Sequence, residues 1–171
     1  SEDRAAGGLT WRDIPASYWN LSAALYAYVF IDLAKIGVDV AGAAGFSFYP
    51  RNYGGVSLVD WETGQLNARF HVLQLIADHL KPGDRLAPTV ARLDLPAVND
   101  IAALPFQTAQ GRKLLLVNKR SKQVHVDLSK TGRAGKMVVV DGLATGQRVL
   151  PGTAASGVTL EPFAVGMVDI E

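Results

Sequence analysis

GGVSLVDWETGQLNARFHVLQLIADHL, residues Gly54 to Leu80, divides the chain. A short β-type run, Val56-Ser57-Leu58-Val59, leads into Asp60-Trp61-Glu62-Thr63-Gly64, where glycine supplies a turn. A helical pattern then starts at Asn67, an N-cap residue by type, and runs to Leu80. Phe70, Leu73, Leu75, Ile76 and Leu80 give it a broad apolar face, and Lys81-Pro82-Gly83-Asp84 ends it. Upstream of this stretch the pattern is α/β. Downstream of it the pattern is β alone.

On the upstream side, Pro15-Ala16-Ser17 predicts a helix start with Ser17 as N-cap. The helix is expected over Tyr18–Ile36, with Gly37 as the residue just past its end. Its apolar residues cover nearly the whole circumference, which predicts burial on most sides. Val38-Asp39-Val40-Ala41 comes next, and a helix, one glycine and a β-branched run together read as the αβ half of a βα repeat. Ala43 to Gly55 carries Phe46, Phe48, Tyr49, Pro50 and Tyr53. It would lie at the C-terminal end of that strand, where α/β folds keep their sites.

Beyond Leu86 the period becomes two. Strands are expected at Thr89–Leu93, Ile101–Thr108, Lys113–Asn118, Gln123–Leu128, Met137–Val140, Gln147–Leu150, Val158–Leu160 and Ala164–Ile170. Turn-like breaks such as Ala109-Gln110-Gly111 and Asp141-Gly142 separate them, and short strands at this spacing predict a β-sandwich.

Composition narrows the function. The 171 residues carry 17 basic and 16 acidic side chains, well mixed, for a net charge of +1. No basic stripe points to nucleic acid. Cysteine is absent, which removes disulfides, CxxC zinc sites and a thiol nucleophile. The longest apolar run, Ala23 to Ile31, is shorter than the ~20 residues a membrane span needs. His71, His79 and His125 have no second ligand at metal spacing, the serines have no readable His–Asp arrangement, and no glycine pattern forms a nucleotide loop. No cofactor is expected.

The two parts are unequal. Residues 1–85 hold two buried-looking helices and too little strand to cover them, and residues 86–171 form the β-domain. Another chain, or an earlier part of a longer protein, is expected to complete the first part, and the absence of an initiator Met agrees with a truncation.

The order of motifs carries a resemblance. Val56-Ser57-Leu58-Val59-Asp60-Trp61, then Thr63-Gly64 and Asn67-Ala68-Arg69-Phe70, then Lys81-Pro82-Gly83-Asp84 and a sandwich resemble the C-terminal end of a TIM-barrel retaining glycoside hydrolase, family 39 and its relatives. Tyr18-Trp19-Asn20 and Tyr49-Pro50 sit where that group has them. Leu115-Leu116-Val117-Asn118 is similar to its "I/L-x-V-V-N" strand, and Leu160-Glu161-Pro162-Phe163-Ala164-Val165 to its final "L-x-P-x-S/A-V" strand. The resemblance implies a barrel remnant, the last helices and last strand of an α/β barrel, followed by an all-β sandwich. It also implies hydrolysis of O-glycosidic bonds by two carboxylates, one acid/base and one nucleophile. Both would lie upstream of Ser1, so no catalytic residue is expected here and the chain alone should be inactive. The implied partners are a carbohydrate substrate and the rest of the barrel, and the implied location is secreted or periplasmic. The alternative is a non-catalytic carbohydrate-binding or assembly sandwich with a helical extension.

Three residues are candidate substrate contacts: Tyr49, Trp61 and Asp60. Aromatic faces suit the C–H side of a pyranose, though such residues also pack interfaces. Asp60 and Glu62 are two apart on an extended segment and so share a side. Their spacing allows a catalytic pair. The reading favoured is that Asp60 bonds turn amides while Glu62 is solvated.

Overall fold

The computed structural model describes residues 11–43, 45–47, 56–87, 100–152 and 157–171. A 3-10 turn at Trp11–Asp13 precedes two helices, α1 (Ala16–Lys35) and α2 (Ala68–His79). Eight strands follow among the described residues: β1 (Arg85–Leu86), β2 (Ile101–Thr108), β3 (Gly111–Asn118), β4 (Val124–Asp127), β5 (Ala134–Val140), β6 (Arg148–Leu150), β7 (Gly157–Leu160) and β8 (Val165–Ile170).

Six strands form one sheet in the order β1-β2-β3-β8-β5-β6, and β4 and β7 form a separate ribbon. Every pairing among them is antiparallel. The β2–β3 hairpin aligns Ile101 with Asn118 and Thr108 with Gly111, and β3 aligns Leu114 with Val168. A register shift between Ala134 and Met137 marks an irregularity in β5.

Period-two alternation sends β3 to two cores. Leu115 and Val117 point to the helices, and Leu114 and Leu116 to the ribbon. The first core unites Ala23, Ala27 and Ile31 of α1 and Val72, Leu75 and Ile76 of α2 with Leu104, Phe106, Val138 and Met167 of the sheet. The second unites Val126 of β4 and Val158 and Leu160 of β7 with Met137, Val139, Val168 and Ile170. The molecule is therefore three layers: helices, sheet, ribbon. Burying each of these large aliphatic side chains stabilises the fold by about 1.5–3 kcal/mol before entropy is counted.

Two polar ties hold α1 to the sheet. Asn20 Nδ2 donates to the Asp141 carbonyl at 3.4 Å, and Lys119 Nζ lies 5.2 Å from the centre of the Tyr28 ring. Gly142, at φ 74°, sits under Asn20, where a Cβ would collide with the amide.

Several expectations are corrected. Val38–Ala41 forms no strand: the Val38 amide donates back to the Leu33 carbonyl, and among the described residues no partner takes up the backbone groups of Asp39–Ala41, so the αβ half of the repeat is a helix and a loop. Val56–Val59 forms no strand among the described residues: Val59 makes an isolated bridge to Leu66, and the Leu58 and Val59 amides donate to the Phe46 carbonyl. Pro15, not Ser17, is the N-cap residue of α1, at φ −68° and ψ 150° without a side-chain cap. Ser17 lies inside the first turn, because proline's fixed φ already suits the entry. Trp11 lies in the 3-10 turn, its ring centre 4.6 Å from that of Trp19. Nor is α1 buried on most sides: Leu21, Leu25 and Val29 are about half exposed, at 48%, 55% and 44%. The expected strand Thr89–Leu93 lies outside the described residues.

Candidate functional site

The segment between the helices is built by short-range polar bonds. Asp60 accepts from the Glu62 amide at 3.1 Å through Oδ1 and from Thr63 Oγ1 at 2.7 Å through Oδ2. Its own amide donates to the Gln65 carbonyl at 2.8 Å, and its carbonyl accepts from the Gly64 amide at 2.8 Å. Both carboxylate oxygens thus hold the turn, and at 8% exposure the side chain is turned inward. Glu62 is exposed. Trp61 stands out from the tip at 59% exposure. Tyr49 lies outside the described residues.

Asn67 then starts α2. Its side-chain oxygen accepts from the amides of Arg69 at 3.0 Å and Phe70 at 3.3 Å, the arrangement of an N-cap. Its Nδ2 donates back to the Ser57 carbonyl at 2.7 Å. Arg69 Nη2 donates to the same carbonyl at 2.8 Å. The guanidinium lies 5.0 Å from the Trp19 ring centre and 5.7 Å from that of Tyr26. Burial lowers its pKa from the usual value, opposed by Tyr26 and Tyr18. Arg69 is therefore a buried cationic rivet joining α1, α2 and the entry to the turn. Reading the sequence for apolar pattern assigns it no role. The signal was its place at i, i+3 and i+7 with Val72 and Ile76, both buried.

A second polar centre lies where β3 ends and β8 begins. Asn118 is fully buried at the end of β3. Its Nδ2 donates to the carbonyls of Lys122 and Glu161, each at 2.8 Å, and lies 3.2 Å from that of Leu160. Its Oδ1 accepts from the Arg120 amide at 2.9 Å. This asparagine clamps the β3–β4 turn to the β7–β8 connection, so both strand motifs read from the sequence meet on one side chain. Phe163 in that connection adopts φ 55° and packs on the helix-side core. In the β5–β6 turn, Arg148 pairs with buried Asp141 through Nε and Nη2, which raises the pKa of Arg148.

None of this is a catalytic constellation. Among the described residues no three His, Asp or Glu side chains converge as metal ligands. No helix among them is long and apolar enough to cross a membrane. The open groove along Pro82–Arg85, Gln107 and Thr108, about 500 Å³, holds one carboxylate, Asp84, which accepts from the Lys81 amide at 2.8 Å.

Residues 99–168 match the family described as D-apionate lactonase, C-terminal immunoglobulin-like domain. No curated protein matches the sequence. Among solved structures, the chain is similar to the catalytic domain of the family 30 xylanase C from Talaromyces cellulolyticus, with a TM-score of 0.64 and 13% identity over 87% of this chain. It is also similar to a family 30 subfamily 8 xylanase from Clostridium acetobutylicum (TM-score 0.63, 11% identity, 87% of this chain). A family 30 endoxylanase from Clostridium papyrosolvens aligns with a TM-score of 0.57 and 13% identity over 87% of this chain. The chain spans 35%, 38% and 38% of those three proteins respectively. These neighbours are glycoside hydrolases of family 30, and they do not show the narrower likeness to family 39.

Proposed function

We propose that the chain is the C-terminal portion of a carbohydrate-active hydrolase, residues 1–85 ending a (β/α)8 barrel and residues 86–171 forming the β-layers that buttress it. The observation that carries this reading is the alignment of 87% of the chain, helices and strands together, with a xylanase catalytic domain of which it spans 35%. The reaction belongs to the part of the protein that precedes this chain. There, two carboxylates would hydrolyse an O-glycosidic bond with retention, one as acid/base and one as nucleophile. This chain would contribute the rim. Asp60 locks the turn, the turn presents Trp61, and Trp61 with Tyr49 would offer aromatic faces to a sugar ring. Export to the periplasm or beyond suits an enzyme acting on polymeric carbohydrate.

A second reading rests on the family match over residues 99–168. Under it the same architecture serves a lactonase, and the bond cleaved is the internal ester of a sugar acid. One assay separates the two. The full gene product is incubated with an aryl β-xyloside and xylan, and in parallel with an aldonolactone under pH-stat titration. Release of aryl alcohol or reducing ends supports the glycosidase. Acid release from the lactone alone supports the lactonase. Inactivity on both, with retained binding to insoluble glycan, would replace both with a non-catalytic binding module.

A further inference from the structure

The turn between β5 and β6 belongs to the β-layers, yet it is fastened to the start of both helices. Asn20, in the second turn of α1, donates to the Asp141 carbonyl and lies flush on Gly142. His71, at the end of the first turn of α2, lies flush on Gly146, where a Cβ would come within 3.3 Å of the His71 Cε1. Gln147 Nε2 donates to the His71 carbonyl at 3.4 Å. From within, the Asp141 carboxylate accepts from the Leu143 amide at 3.1 Å and from the Arg148 guanidinium. What the turn turns outward is Leu143-Ala144-Thr145, all exposed, with Leu143 at 66%. A loop held this firmly by its scaffold, with a large apolar side chain at its tip, is built to touch something.

The start of α2 leads from this turn to Trp61. The His71 ring meets Phe70 edge to face with centres 5.8 Å apart, and Phe70 meets Phe46 at 6.2 Å. The Phe46 carbonyl accepts from the Leu58 and Val59 amides, and Trp61 is two residues further on. Phe46 is 62% exposed. Trp61, Phe46 and Leu143 are therefore three exposed apolar side chains ranged round one helix start. The amides of Gln74, beside His71, and of Gln147, with the Thr145 hydroxyl, add groups that bond hydroxyls as donor or acceptor. Apolar faces interspersed with neutral amides and a hydroxyl suit a neutral sugar chain, which has C–H faces and hydroxylated edges.

We propose that Leu143 contacts the glycan, so that the β-layers supply a far wall to the surface that begins at Trp61 and Phe46. The ligand is a chain of several neutral sugar units: three rings, His71, Phe70 and Phe46, lie between the turn and Val59, and a single pyranose does not span them. The inference rests on the carbohydrate reading above and goes beyond it, since there the β-layers only buttress the barrel.

The test measures binding, not turnover, by calorimetry on the full gene product with β-1,4-linked xylo-oligosaccharides of two and six units. The six-unit chain is expected to bind, and Leu143→Asp to weaken it about tenfold while weakening the two-unit chain less. Leu143→Ala is expected to fall between wild type and Leu143→Asp. Val149→Asp, at an exposed position of β6, is expected to change neither affinity. The Tm of Leu143→Asp is expected to match that of the wild type. Unchanged affinity for the six-unit chain in both Leu143 variants would overturn the inference. So would a Tm several degrees lower in Leu143→Asp, since the tip would then be packed under other polypeptide, and so would a wild type that binds neither oligosaccharide. Binding without hydrolysis would sink the glycosidase reading and leave this inference standing. Hydrolysis with Leu143 variants of unchanged affinity would do the reverse.

Discussion

The sheet and the helix α1 are both built from apolar residues, yet only one of them is finished within this chain. Strands β3 and β8 are covered on both faces, by helices on one side and by the β4–β7 ribbon on the other. Helix α1 is covered on one face and bare on the other. The difference lies in how each satisfies its backbone. The strands find partners in this chain through five antiparallel pairings of the main sheet. The helix satisfies its own backbone whatever lies beside it, so its outer face can be left waiting for a second layer.

That contrast ranks the expected effects of substitution. The largest belongs to the finished region. Leu115→Ala removes a fully buried side chain between β2 and β8 and is expected to cost about 3–4 kcal/mol, read as a lower denaturant midpoint. Next is Asn118→Ala. It strips the Lys122 and Glu161 carbonyls and the Arg120 amide of their partner, for an expected loss of about 2–3 kcal/mol. Asn67→Ala loses the cap of α2 and is expected to cost about 1–2 kcal/mol by the same measurement.

The smallest effect is on pH dependence. Burial first, and Lys113 second, lower the pKa of His79 from its usual value. A histidine whose folded pKa is depressed favours the unfolded state once it is protonated. Its contribution is whole above the unfolded value of about 6.5 and is lost as pH falls below that value towards the folded one. His79→Gln is therefore expected to flatten the acid side of a stability profile below pH ~6.5. An unaltered profile would show that His79 does not titrate with unfolding.

The same contrast explains what could be read from the sequence. The expected Ile101–Thr108 coincides with β2, and Gln123–Leu128 and Val158–Leu160 lie within two residues of β4 and β7. Alternation and turn glycines mark such strands because both signals are local. The start of β5 at Ala134 is not legible, because the register shift before Met137 breaks the alternation there. Gly37 is legible as a helix stop, since only a residue tolerant of positive φ suits that turn. Val38–Ala41 reads as a strand because its valines are β-branched, and it lacks one here because pairing depends on neighbours that sequence pattern alone does not supply. In the candidate site, Asp60 as a turn holder follows from its type and setting. Arg69 does not, since a charged residue at a buried helical position is overlooked when only apolar residues are counted.

Amide hydrogen exchange tests the contrast between the finished sheet and the waiting helix most directly. In the 171-residue chain, the amides of β3 and β8 are expected to exchange only with global unfolding, and those of Asp39–Gly42 at nearly the rate of an unstructured peptide. In the full gene product, Val38–Ala41 is expected to become protected to a degree comparable with β3. Fast exchange at Asp39–Ala41 in both proteins would contradict the reading of residues 1–85 as the end of a barrel.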